Sequence, residues 1–195
     1  MNLKVWLKAK GADRVLAPLR KELVELMEKD ASVLEIGCGT GDLIFQSSEI
    51  ISRGLGVDLD NNMIEYADEK KRERGLNHIS FKCMDASELK TEIYDISTST
   101  LCIHEMVQDK ACKLLKMMVE NSNKVLIADY TAPKTLSGKL GIEFDEMISG
   151  HYGNFKKYRK SGEIPFYAGQ VGAKIHKVIP SSIDGISIWI LGRNC

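Results

Sequence analysis

"VLEIGCGTGDL", residues Val33–Leu43, joins a short apolar run to three glycines placed at every second position. A run of that length bounded by glycine reads as a buried strand. The segment that follows, "DLIFQSSEIISR", reads as a helix. Gly37, Gly39 and Gly41 therefore sit between strand and helix. There they let the backbone turn tightly and let a ligand touch the main chain where a side chain would intrude. In an open α/β sheet, ligands bind at the carboxyl ends of the strands, at a topological switch point.

The next acid sharpens this reading. Asp58 ends a second strand, "GLGVD", 21 residues after Gly37. A carboxylate in that place can accept hydrogen bonds from both hydroxyls of a ribose. A dinucleotide loop, G-x-G-x-x-G, would have its third glycine where Asp42 stands. An acid there also faces a pyrophosphate unfavourably. No G-K-[ST] follows, which excludes a P-loop. A cofactor with ribose and adenine but no phosphates fits better.

Strands and helices alternate around this loop. "NNMIEYADEKKRERG" reads as a helix closed by Gly75, and "HISFKCMD" as a strand. "DISTSTLCI" reads as a strand, "MVQDKACKLLKMMVENS" as a helix and "KVLIADY" as a strand. This order means right-handed βαβ units and a parallel sheet. "VGAKIHKVIPS" and "DGISIWILGR" read as two strands joined too closely to be parallel. The expected fold is α/β, a doubly wound, seven-stranded, Rossmann-like mixed sheet with an antiparallel strand near its C-terminal end. Residues 131–168 read as one or two helices without a strand. Val15, Leu16, Leu19, Leu23, Leu26 and Met27 share a helical face near the start, and Pro18 is expected to split that region into two helices.

The chain has 195 residues, enough for one domain with a substantial core. Lys+Arg and Asp+Glu both number 27, so no global charge draws it to nucleic acid. The five cysteines form no C-x-x-C pair and read as reduced thiols of a cytoplasmic protein. No apolar run approaches the ~18 residues of a transmembrane span, and "MNLKVWLKAK" is a poor signal peptide.

These motifs together resemble the class I S-adenosylmethionine-dependent methyltransferases, particularly the small-molecule methyltransferase group. "VLEIGCGTG", "GVDLDNNMIEYADEK", "FKCMDASEL", "YDISTSTLCIHEM" and "KVLIADYTAP" carry the resemblance over residues 30–133. It implies S-adenosyl-L-methionine as cofactor and a small-molecule acceptor; the cysteine spacing gives no expectation of a metal. By the same resemblance Gly37, Cys38, Gly39 and Gly41 wrap the methionine end of the cofactor. Glu35 supports that loop or meets the ammonium through water. Asp58 takes the ribose, Leu59 and Met63 flank adenine, and Asp85 with the Ala86 amide reads its edge. Thr100 and Leu101 lie beneath the methionine and sulfonium. Asp85 also fits the N-cap of "ASEL".

His104 follows the fourth strand at its carboxyl end. It can accept a proton from the nucleophile, or hydrogen-bond within a strand–helix turn. Tyr130 ends the fifth strand beside the same pocket. His151, Tyr152, Phe155 and Tyr158 recur at helical spacing, so one face can present several rings to an acceptor. Lys156, Lys157, Arg159 and Lys160 read as a solvent-facing basic set on the same segment. The expected layout is one methyltransferase domain over 1–195. It comprises N-terminal helices (1–30), a cofactor-binding core (31–133), a substrate cap (134–168) and a C-terminal strand pair (169–195). Two rival readings are a protein that binds the cofactor without turnover and a nicotinamide-dependent oxidoreductase. Asp42 disfavours the second.

Overall fold

The computed structural model describes residues 11, 13–89 and 92–193, with backbone alone at 137, 144, 145, 148 and 149. The expected helix ahead of Pro18 therefore lies mostly outside the described residues. The first described helix, α1 (Asp13–Val24), runs through Pro18 instead of breaking there. Leu19 and Leu23 face the core, whereas Pro18 is exposed. The ring deprives the Arg14 carbonyl of its amide donor, but Arg14 lies on the same exposed side, where water can hydrate it. Val15 also points outward, off the apolar face expected for it.

After α1 the chain alternates. The elements are β1 (Ser32–Ile36), α2 (Asp42–Ser47), β2 (Arg53–Asp58), α3 (Asn61–Arg74) and β3 (Ile79–Cys83). They continue as β4 (Tyr94–Thr100), α4 (Gln108–Glu120) and β5 (Ser122–Tyr130). Three helices follow, α5 (Leu136–Ser149), α6 (Tyr152–Ser161) and α7 (Glu163–Gln170), then β6 (Ala173–Pro180) and β7 (Ile186–Arg193). Two 3-10 turns, Ala86–Glu88 and Ile103–Glu105, leave β3 and β4.

The strands form one seven-stranded sheet in the order β3-β2-β1-β4-β5-β7-β6. β1 to β5 are parallel, and β7 runs antiparallel to both β5 and β6. The mixed doubly wound sheet expected from the sequence is thus the observed one. Order reverses between β1 and β4. Right-handed crossovers put the β1–β2 and β2–β3 helices on one face and the β4–β5 helix on the other. Central strands covered on both faces are buried along their length. All five residues of β1 are buried, as are Val125–Ala128 of β5.

Three boundaries depart from the sequence reading, each for a local reason. α2 stops at Ser47, where the Ser47 and Ser48 hydroxyls donate to the carbonyls of Ile44 and Phe45 and compete with helical bonding. The strand expected to reach Ile103 stops at Thr100, because Leu101 turns to a left-handed φ of 49°. The segment 131–168 holds more helices than expected. Gly150 and Gly162, at φ 84° and 106°, each end one helix in the left-handed conformation that glycine adopts freely.

Candidate active site at the sheet switch point

Gly37, Gly39 and Gly41 all have left-handed φ, at 70°, 53° and 74°. The amides of Gly37 and Cys38 both donate to the Val57 carbonyl, at 2.9 and 3.0 Å, which curls the loop over the end of β2. A Cβ on Gly37 would stand 2.7 Å from Cys102 Sγ, and one on Gly41 would stand 2.4 Å from the Phe81 ring. The loop is therefore wedged between the turn leaving β4 and a ring on β3. Cys38 is buried within it, and Glu35 is buried beneath it on β1.

Asp58 closes this arrangement. Its Oδ2 accepts from the Gly39 amide at 2.7 Å and its Oδ1 from the Asp60 amide at 2.9 Å. The acid and the glycine loop, 19 residues apart in sequence, are thus in direct contact. Leu59, the next residue, is 71% exposed, while Met63 one turn into α3 is buried. The Met84 amide donates to the Asp58 carbonyl at 3.0 Å, which brings Asp85 beside Asp58. Asp85 caps its 3-10 turn: Oδ1 accepts from the Ser87 amide and hydroxyl, and these bonds hold its carboxyl below the usual range. The buried Ala86 opens that turn. Thr100 and the strained Leu101 stand at the end of β4, across the switch point from the glycine loop. The Leu101 amide is tied to the Ala128 carbonyl at 2.8 Å. The residues read from the resemblance thus converge on the carboxyl ends of four adjacent strands, β3, β2, β1 and β4.

His104 sits deeper than its position in the sequence suggests. It is 1% exposed, against Asp129 at 0% and Glu146 at 2%. Nδ1 lies 2.5 Å from Asp129 Oδ1, and Nε2 lies 3.1 Å from Glu146 Oε1. Burial would depress the imidazolium, but the Asp129 charge and hydrogen bond, aided by Glu146, outweigh it and raise the pKa to about 10. An imidazole that keeps its proton at neutral pH, with a carboxylate against each nitrogen, is not poised to take another. Asp129 is further fixed by the amides of Ile103, His104 and Tyr130. Asp129 and Glu146 escaped the sequence reading. For Asp129 a signal existed, an acid inside the apolar strand "KVLIADY"; for Glu146 none did.

α6 is fastened to the strand ends by its rings and polar groups. Phe155 and Tyr158 are buried, and both rings pack edge-on against His104. The Tyr158 hydroxyl donates to the Tyr130 carbonyl at 2.8 Å, and Arg159 donates to the Thr131 carbonyl at 2.8 Å. Tyr130 is itself buried, its ring 4.6 Å from that of His104. Phe155, Tyr158 and Tyr130 therefore fill the interior. Tyr152, half-buried and donating to Glu143 at 2.6 Å, and the exposed His151 stay nearer solvent. Lys156, Lys157 and Lys160 are exposed, as a solvated basic face requires. With Arg159, Phe155 and Glu143 they line a shallow depression of about 560 Å³ that includes none of the cofactor candidates.

A parallel sheet finished by a reversed strand, with a left-handed glycine loop pressed onto Asp58 at its switch point, is the Rossmann-like arrangement shared with solved methyltransferases. Residues 33–123 match the family model described as a methyltransferase domain. Aklanonic acid methyltransferase DauC of Streptomyces sp. (strain C5) is 40% identical over 74 residues, covering 35% of this chain and 34% of that protein. The ubiquinone/menaquinone biosynthesis C-methyltransferase UbiE of Vibrio vulnificus is 27% identical over 108 residues, 52% of this chain and 42% of the relative. The matches thus span less than half the length of either curated relative. Magnesium protoporphyrin IX methyltransferase of Synechocystis PCC 6803, solved with bound SAH, shares the fold. It has a TM-score of 0.65 at 18% identity, over 100% of this chain and 89% of that one. Among the described residues no helix is long and apolar enough to cross a membrane.

Proposed function

We propose that this chain transfers a methyl group from S-adenosylmethionine to a small-molecule acceptor. The observation that carries the reading is the contact between Asp58 and the Gly39 amide at the switch point. It supports a reading in which Asp58 takes a ribose beside a loop of left-handed glycines that carries Asp42 where a dinucleotide loop has its last glycine. The cofactor supplies a methyl carbon that is already electrophilic, and transfer is an in-line displacement. Asp58 holds the ribose, Leu59 and Met63 flank the adenine, and Asp85 with the Ala86 amide meets its edge. Gly37, Cys38, Gly39 and Gly41 leave room for the methionine end, with Glu35 behind them and Thr100 and Leu101 below.

The chain's own contribution is alignment and exclusion of water. Positioning alone can supply about 7–11 kcal/mol, and a dry site favours a reaction in which the sulfonium charge fades. Residues 134–168 form the cap, with His151 and Tyr152 nearest the acceptor and Phe155 and Tyr130 shaping the wall behind them. In this reading His104 is a charged strut between β4, β5 and α5, and not the base. Relatives named for aklanonic acid and for ubiquinone and menaquinone support a small organic acceptor. The cytoplasm suits the cysteines, all free among those described. The test is a labelled-methyl screen over small-molecule acceptors. Release of S-adenosylhomocysteine with one of them supports the reading, and binding without any turnover favours a cofactor-binding protein instead.

A further inference from the structure

The glycine loop is gripped from behind by a helix outside the matched methyltransferase segment. Arg20, on α1, directs Nη2 to Asp13 Oδ1 at 2.8 Å and Nη1 to Asp42 Oδ2 at 3.0 Å. Nη1 also reaches the Asp13 carbonyl at 3.1 Å. The second oxygen of Asp13 accepts from the Thr40 hydroxyl at 2.6 Å. Asp42 is additionally held by Gln46 at 2.7 Å. The side chains of Arg20, Asp13 and Asp42 are only 7%, 9% and 20% exposed. A planar guanidinium forked between two carboxylates fixes both distance and angle.

Thr40 and Asp42 flank Gly41, whose left-handed backbone is pressed onto Phe81. Gly39, next to Thr40, is the residue whose amide meets Asp58. The segment 39–42 is thus pinned on one side by Asp58 and on the other by α1. Removing the cation would leave the Asp13 and Asp42 carboxylates close together in a largely buried site, and they would push apart. Asp42 and Thr40 would move, and the loop with them.

We infer that Arg20 is a positioning residue for the cofactor loop, acting through the Asp13–Thr40 and Asp42 contacts. The inference rests on the proposed S-adenosylmethionine reading. α1 then belongs to the binding apparatus without touching the ligand, and docking of α1 and occupancy of the loop are coupled.

The experiment is calorimetric titration of the full chain with S-adenosylhomocysteine, well below the melting temperature of each variant. Arg20→Gln is expected to weaken affinity by about tenfold or more, the usual scale for a lost charge-assisted bond. Arg20→Lys, which keeps the charge, should recover part of it. Adding Asp42→Asn to Arg20→Gln should cost less than the two changes summed, because it removes the repulsion. Should Arg20→Gln not fold, Thr40→Val deletes only the hydroxyl bond and is expected to weaken binding severalfold. Lower melting temperatures with affinities within about twofold of wild type would make the network a fold element only and overturn the inference. Wild-type protein that binds no S-adenosylhomocysteine overturns the proposed reading, and the inference with it.

Discussion

Asp58 serves two partners, the loop amide of Gly39 and the turn amide of Asp60. Its carboxylate is therefore pre-set in orientation. Gly39 itself stands at φ 53°, where a β-branched residue is an outlier. Gly39→Val should lower the melting temperature and abolish S-adenosylhomocysteine binding, because the loop can then satisfy neither its own backbone nor the ligand. Calorimetry showing unchanged affinity would reduce the loop to a tight turn. The contact between the loop and Asp58 was legible in the sequence because glycines at one strand end and an acid at the next must meet in a parallel sheet. Arg20 was not legible, since an arginine on an amphipathic helix gives no sign of which buried acid it meets.

The turn after β4, strand β5 and helix α5 are joined by the Asp129–His104–Glu146 cluster. Tyr130 and Tyr158 also face the imidazole, and the phenol of Tyr158 is pushed well above its ordinary range by burial. The folded pKa of His104, about 10, lies above the ordinary value of about 6.5. Its contribution to stability is then fully present below about pH 6.5 and is lost as pH rises through about 10. Urea unfolding of wild type against His104→Gln should show the difference between them shrinking across that window. A difference independent of pH would mean that His104 is neutral in the fold. α6 gives a second test. Phe155 is buried, so Phe155→Ala should cost about 3–5 kcal/mol in stability. Tyr152→Ala, at a half-buried ring, should leave S-adenosylhomocysteine affinity within about threefold while turnover with the acceptor falls about tenfold or more. Loss of cofactor affinity in Tyr152→Ala would move that helix into the cofactor site. The rings of α6 were visible as helical spacing, but spacing alone does not say which ring is core and which is wall.

Across the whole chain, the alternating strands and helices and the reversed last strand followed from apolar periodicity and from the short turn before β7. The reversal of strand order between β1 and β4 puts the loop, Asp58, Asp85 and Leu101 at the carboxyl ends of neighbouring strands. What stayed hidden are contacts between residues remote in sequence, such as His104 with Glu146 and Arg20 with Asp42, which depend on how the helices pack. These strand ends are proposed to hold S-adenosylmethionine through Asp58. The most direct measurement is calorimetric titration of wild type and Asp58→Ala with S-adenosylmethionine, S-adenosylhomocysteine and NADH. Both adenosyl ligands should bind wild type, and NADH should not. Asp58→Ala should weaken the two adenosyl ligands alike by about 1.5–3 kcal/mol, the worth of hydrogen bonds to a charged group. Binding of NADH in their place, or equal adenosyl affinity in wild type and Asp58→Ala, would contradict the proposal.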